Sequence, residues 1–356
     1  MATQSDIARN LELNQATISL ALRGHASIPE ATRERVRGEA ERIGYRPNSY
    51  VTSLMSHIRS GRPLKDKGCI AVLVDEKSET DWWSLGETYR RYHAGMARQA
   101  EKLGFDLEPF FLGRQGMHPE RVDEILHTRG IRGLILAAPC RGYRTRPVRV
   151  RWERYACVTT GYSWVQPMDR VANDQYGNVV IAYAELIRRG YRRIGMSLSV
   201  ENLRARGSRW LGGYAQSEQE HFGGQGLPVF FDTMERSSAK RFGAWLRKHD
   251  PDAVITLTGH DELEWCHALG IRVPEDVGLV SVIRSHDSVC TGVEERNGLI
   301  GAITLEQVAA QIMRNEQGLP VQARLTLVEG EWVEGETLRK READVGRTLP
   351  PGFRTR

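Results

Sequence analysis

The stretch that most constrains the fold is Thr3 to Leu22, which reads as two short helices joined by a tight turn. Ile7, Ala8 and Leu11 share one face of the first helix, and Ile18, Ala21 and Leu22 one face of the second. Asn14 stands where its side-chain oxygen can cap the second helix. Helices this short do not stand alone in water, so they must pack on something. A third helix is predicted from Pro29 to Ile43, with Pro29 in its first turn and Gly44 closing it. Three small helices in this order suit a helix-turn-helix headpiece, whose second helix enters a DNA major groove. On helix pattern alone, any small helical subdomain remains an alternative.

The residue pattern favours the headpiece. Asp6-Ile7-Ala8, Leu13-Asn14, Thr17-Ile18-Ser19, Arg33, Val36, Gly44-Tyr45 and Pro47-Asn48 together resemble the N-terminus of LacI/GalR-family repressors. The resemblance implies that Ser5, Gln15, Ala16, Thr17, Ser19, Leu20, Arg23 and Asn48 meet DNA. Gln15, Ala16 and Leu20 take the base-reading positions, and glutamine can pair bidentately with adenine while alanine or leucine meets a thymine methyl. Leu20 departs from the arginine that many relatives carry there, so the operator should differ at that base pair. Glu12 also departs from the family: it falls where the turn usually has glycine and needs a positive φ.

Ser49 to Ile58 is a weak helix with β-branched residues, largely unfolded alone in water and readable as a plain linker. The resemblance makes it the hinge helix, with Leu54 as the leucine wedged into the central minor-groove step. From Gly68 the rhythm changes to apolar strands alternating with amphipathic helices, as in a parallel sheet covered on both faces. Strands are expected near residues 69–74, 105–112, 133–138, 155–159, 193–198, 229–231, 253–257 and 279–283. Helices are expected between them, followed by a late crossover near Gly292 to Glu295, the helix Ile300 to Gln317 and two closing strands. The fold class is thus an all-α headpiece followed by an α/β domain of two Rossmann-like lobes.

The expected domains are a headpiece over 1–48, a hinge and linker over 49–67, and an effector-binding and dimerisation domain over 68–340. Lobe 1 takes about 68–171 plus a late crossover segment, and lobe 2 about 172–290 plus the C-terminal strand. Residues 341–356 are expected as a disordered tail. The family resemblance extends over this domain, as a periplasmic-binding-protein-like effector domain. Its marks are Arg132-Gly133-Leu134-Ile135, Asn173-Asp174 with Gly177, Arg189-Gly190-Tyr191, Arg209 with Gly212, and Val273-Pro274-Glu275-Asp276-Val277.

For the effector, the resemblance aligns Arg209 with the arginine that holds a sugar hydroxyl or an anion, a role suited to a planar guanidinium; a surface ion pair is the alternative. Trp82 and Trp83, in an expected loop after the first strand, would stack on a sugar ring or serve as core or dimer contacts. His260 and Asp261 sit near the family's Asn-Asp ligand position, and Glu295 and Asn297 on the crossover. Ile283 and Ala137 replace polar ligand positions of relatives, so the pocket is not that of the lactose or purine repressor.

Catalysis finds little support. No G-x-S-x-G elbow, phosphate-binding glycine loop or H-E-x-x-H appears, and Asp261, Glu262 and Glu264 read as one solvated helix turn. The five cysteines are scattered without C-x-x-C spacing, which fits free thiols in a reducing cytoplasm, with neither metal nor cofactor. No apolar run is long enough to span a membrane. The net charge of +5 is mildly basic, with nine arginines against six acids between Met1 and Arg62. The expected partners are operator DNA, a small-molecule effector of the sugar kind and a second copy of the chain; no leucine heptad supports a tetramer. A two-lobed solute-binding protein without a DNA role is the alternative.

Overall fold

The computed structural model describes residues 4–22, 28–44, 68–138, 148–164, 166–200, 209–233 and 237–339. They fall into two units, one within Met1–Lys67 and the other built on Gly68–Gln311 and the chain from Glu316. Arg23, Asn48, Leu54, the hinge stretch and the tail lie outside the described residues.

In the first unit, α1 (Gln4–Leu11), α2 (Gln15–Leu22) and α3 (Glu30–Arg42) enclose Ile7, Ile18, Ala21, Val36 and Ala40. Ala8, Leu11, Leu13, Leu22, Ile28 and Ile43 edge this core, so the faces predicted for α1 and α2 are the buried ones. Asn14 caps α2: its Oδ1 accepts from the Thr17 amide at 2.7 Å and from Thr17 Oγ1 at 2.8 Å. Glu39 of α3 accepts from Asn10 of α1 at 2.7 Å and from Arg42, and these donors hold its carboxyl down at about 2. The Arg42 hydrogen bond is the larger of the two effects.

The turn between α1 and α2 closes as a Schellman motif, with the Leu13 amide on the Ala8 carbonyl and the Glu12 amide on the Arg9 carbonyl. Glu12 sits at φ 55, the left-handed conformation expected at the family's glycine position. A Cβ there costs about 1–2 kcal/mol. Glu12→Gly should therefore stabilise the headpiece by about 1 kcal/mol, slowing amide exchange across α1–α3 of the intact chain about fivefold. Unchanged exchange would show that the turn carries no strain.

The second unit holds two six-stranded sheets. In lobe 1, β1 (Gly68–Val74), β2 (Phe105–Phe111), β3 (Gly133–Leu136), β4 (Ala156–Thr160), β5 (Asp169–Asn173) and β11 (Leu325–Val328) run parallel in the order 11-5-4-3-1-2. In lobe 2, β6 (Ile194–Ser199), β7 (Phe230–Asp232), β8 (Ala253–Thr256), β9 (Gly278–Ser281) and β10 (Thr291–Glu294) are parallel, and β12 (Glu331–Val333) pairs antiparallel with β10. The helices are α4 (Glu79–Ser84), α5 (Glu87–Leu103), α6 (Pro119–Thr128), α7 (Gln175–Arg188), α8 (Arg209–Phe222), α9 (Ser238–His249), α10 (His260–Ala268) and α11 (Asn297–Met313). Strands such as β1 and β8 are buried along nearly their whole length, the burial that produces unbroken apolar runs.

Three elements depart from expectation, the first being Thr291–Glu294, expected as a crossover and found as strand β10 of lobe 2. The stretch bearing Trp82 and Trp83 is the helix α4, not a loop, capped by Ser78 Oγ on the Asp81 amide at 3.2 Å. Strand β5 begins on Asp169, a buried carboxylate that hides its strand character. Asp169 accepts from the Arg324 amide at 2.8 Å, from the Arg324 guanidinium at 2.6 Å and from Gln311 at 3.1 Å, which ties β5 to the start of β11 and to α11. Cys157, Cys266 and Cys290 are buried and Cys69 half-buried, all as free thiols; burial pushes Cys157 and Cys266 up to about 12.

The chain passes between lobes three times, after β5, β10 and β11. The passages are bonded together. The Asp174 amide donates to the Val328 carbonyl at 2.9 Å, the Gly330 amide to Asn178 Oδ1 at 3.1 Å, and the Asn173 side-chain amide to Glu295. Any side chain at Gly330 would collide with Val293, at 2.3 Å from a Cβ.

Candidate functional site

A cavity of about 280 Å³ opens between the lobes. Lobe 1 supplies Leu85, Thr88, Tyr89 and Tyr92 from the α4–α5 region, Ala138 after β3, and Gly161, Tyr162 and Ser163 after β4. Lobe 2 supplies Leu257 and Thr258 after β8 and Ile283 after β9, and the passages supply Asn173, Gln175 and Glu295. These positions follow the carboxyl ends of parallel strands, where open α/β sheets bind their ligands. The wall is part aromatic, part apolar and part hydrogen-bonding, with Glu295 as the one charged group among the described lining residues.

Tyr162 joins the parts of this site. Its hydroxyl donates to the Asn173 carbonyl at 3.1 Å, and burial pushes its pKa up to about 12. The Arg209 guanidinium, from the other lobe, lies 4.0 Å from the centre of the Tyr162 ring. Arg170 holds the Tyr162 loop from behind, donating to the carbonyls of Tyr162 at 3.3 Å, Trp164 at 3.3 Å and Gln166 at 3.4 Å. Burial, and then the positive charge of Arg209, hold Arg170 below the usual arginine pKa.

Residues 183–338 match the family described as periplasmic binding protein-like domain. The solved structure of the transcriptional regulator CelR–cellobiose complex is similar, with a TM-score of 0.57 at 20% identity, over 95% of this chain and 100% of that one. The lac repressor dimer bound to operator and the anti-inducer ONPF gives 0.55 at 16% identity, over 95% and 99%. Both likenesses concern the fold. The maltose regulon regulatory protein MalI of Escherichia coli (strain K12) is 25% identical over 266 residues, 70% of this chain and 69% of MalI. The chain is thus similar to the lac repressor in fold and to MalI in sequence.

The positions that LacI/GalR resemblance singles out are distributed unevenly. Thr17 and Leu20 are half-buried on α2; Ser5, Gln15, Ala16 and Ser19 have helical backbone on α1 and α2, and their side chains lie outside the description. Glu295 lines the cavity, 4% exposed. Asn297 is buried just beside the lining, its amide 3.4 Å from Thr88 Oγ1. Arg209 reaches the site over the outside of Tyr162. Trp82 is 1% exposed and packs edge-on to His93 at 5.4 Å and Phe111 at 6.4 Å, and Trp83 lies exposed beside His93. Neither tryptophan is among the lining residues, and neither are His260 and Asp261, which are exposed at the start of α10.

Sequence reasoning missed Tyr89, Tyr92, Tyr162 and Gln175. Tyr89 and Tyr92 carry a legible sign, an i,i+3 aromatic pair on one helix face. Gln175 offers none beyond following Asn173-Asp174.

The acidic turn of α10 also differs from expectation. Asp261 and Glu264 are exposed, but Glu262 is buried and accepts from Ser197 Oγ at 2.6 Å. Burial raises its pKa to about 7, against the lowering effect of the Ser197 hydrogen bond. The folded chain thus keeps a proton that the unfolded chain releases near 4.5. That contribution to stability is complete below pH 4.5 and is lost as pH rises through about 7. Glu262→Gln should flatten this part of the stability–pH profile in urea titrations; an unchanged slope would place the titrating group elsewhere.

Proposed function

We propose that this chain is a member of the LacI/GalR family, a sequence-specific DNA-binding transcriptional regulator of the repressor kind, acting in the cytoplasm as a homodimer on a pseudo-palindromic operator. A small-molecule effector, a sugar or related metabolite, occupies the inter-lobe cavity. The observation that carries the reading is the joint presence of an Asn14-capped helix-turn-helix unit and a polar-aromatic cavity at the lobe passages. The relatives add to it, since one regulates a maltose regulon, one is complexed with cellobiose and one is a dimer on its operator. The expected divisions into headpiece, hinge and effector domain, and the DNA contacts named above, form part of this proposal.

Effector binding between the lobes would favour one relative setting of the lobes, and so couple to DNA as a difference in affinity between two states. Selection of bound DNA from a random pool by the purified chain, at fixed salt, tests the proposal. A palindromic site should be enriched, with affinity falling linearly in log–log against salt. No enrichment, with or without a sugar mixture, would overturn it. Arg209→Ala should keep the operator affinity and lower the effector response at least about tenfold, as loss of one charge-assisted contact does. An intact response would restrict Arg209 to its stacking on Tyr162.

A further inference from the structure

We propose that Glu87 and Arg91 of lobe 1, with His286 and Glu294 of lobe 2, form an electrostatic latch that holds the two lobes in one relative setting from outside the cavity. None of the four is among the cavity-lining residues.

The latch spans the lobes through two contacts. On α5, Thr88, Tyr89 and Tyr92 line the cavity, while Glu87 and Arg91, one turn apart, make up the neighbouring face. The Arg91 guanidinium donates across the lobes to Glu294 Oε1 at 2.7 Å and lies 3.4 Å from Glu87 Oε1 on its own helix. Glu87 Oε2 accepts from the His286 backbone amide at 3.1 Å, which makes the second crossing. The Glu87, Arg91 and Glu294 side chains are half-buried, so their pairing is worth more than that of ions in open water. The His286 imidazole is exposed, 3.6 Å from Glu294 Oε2, and adds less than its amide does.

The lobe 2 side of the latch is shaped by Arg284, which is 9% exposed. Its guanidinium donates to the carbonyls of Cys290 at 2.8 Å, Ser285 at 3.0 Å, His286 at 3.1 Å and Ser288 at 2.7 Å. All four acceptors belong to the single turn 285–290, which a planar, always-charged donor fixes from within lobe 2. The turn thereby offers the His286 amide to Glu87. Two residues beyond Glu294, Arg296 stands on the second passage at φ 57. A left-handed arginine is strained and persists where its surroundings over-determine it. The latch, anchored just before it, supplies such a constraint. The cavity face and the latch face share α5, and Ile283 lines the cavity directly before Arg284. A change at the cavity that moves α5 or Ile283 therefore also loads or frees the latch.

The test follows the intact chain by amide exchange and by energy transfer between dyes on unnatural side chains replacing the exposed Glu124 of lobe 1 and Ala244 of lobe 2. Glu87→Gln, Arg91→Met and Glu294→Gln should each shift the ratio of lobe settings about fivefold away from the present one, as loss of a half-buried charge-assisted contact does. Exchange of amides 285–290 should quicken by about the same factor. Arg91→Met combined with Glu294→Gln should shift the ratio little further than either alone, because both remove one contact. Arg90→Met is the control: Arg90, on the same helix, donates to the Trp83 carbonyl, and its loss should leave both readouts unchanged. In the unmodified chain, raising salt from about 0.1 M to about 1 M should produce the same shift, and in the double variant it should not. This arm stands even if a variant fails to fold. One lobe ratio common to the unmodified chain, the variants and both salt concentrations would overturn the inference. So would faster exchange at 285–290 with an unchanged lobe ratio, or additive shifts in the double variant. None of these measurements involves DNA, so the regulator reading is judged separately.

Discussion

Trp82→Ala should lower the stability of the α/β unit by about 3–5 kcal/mol in urea titrations, the usual loss for an excavated core tryptophan. Trp83→Ala, one residue on, should change it by no more than about 0.5 kcal/mol. The contrast follows from burial: Trp82 is 1% exposed against His93 and Phe111, whereas Trp83 is 36% exposed. Among the described residues the buried Trp82 indole N–H has no acceptor, and packing holds its ring there. Trp82→Phe should accordingly retain most of the stability and all of the sugar-induced Tm shift. If Trp82→Phe left the fold intact but abolished that shift, Trp82 would be a ligand contact after all. Equal stability losses for the two alanine variants would show that the packing about α4 is not as described.

The two tryptophans show what was legible and what was not. In the sequence they are a pair after an apolar strand, equally placed for stacking or packing. What separates them is α4, a six-residue helix too short for periodicity to reveal. Its cap was readable, since Ser78 and Asp81 stand at the spacing of a helix start. Longer elements fared better: the faces of α1 and α2 and the unbroken apolar strands β1 and β8 follow from residue spacing alone. Strand β5 did not, because its first residue is a carboxylate whose burial depends on Arg324, 155 residues away. Gln175 and Glu262 escaped for the same reason. Burial of a polar side chain is decided by what the rest of the chain brings against it, and neither residue's neighbours in sequence announce it.

The helices that frame the cavity meet through glycine, and this gives the other large effect. Gly95 of α5 faces Gly298 of α11, and a Cβ at Gly95 would stand 1.9 Å from the Gly298 carbonyl oxygen. A Cβ at Gly301 would stand 2.1 Å from the Tyr92 carbonyl oxygen. Both obstacles are backbone, which cannot rotate away, so any side chain must push the helices apart. Gly301→Leu should cost about 3 kcal/mol, at the upper end of overpacking penalties. Even Gly301→Ala should destabilise, although alanine in a helix ordinarily gains about 0.5–1 kcal/mol over glycine. Gly38 in α3 is the control: among the described residues nothing lies within 4 Å of its Cβ position, so Gly38→Ala should stabilise by about that amount. Opposite signs for the two alanine substitutions would isolate contact from propensity. Because Thr88, Tyr89 and Tyr92 ride on α5 and Glu295 leads into α11, separating the helices moves one wall of the cavity against its floor. Gly301→Ala should therefore weaken the sugar-induced Tm shift beyond what its stability loss accounts for. A variant that lost stability but bound sugar as before would show that the α5–α11 seam supports the lobe without setting the geometry of its site.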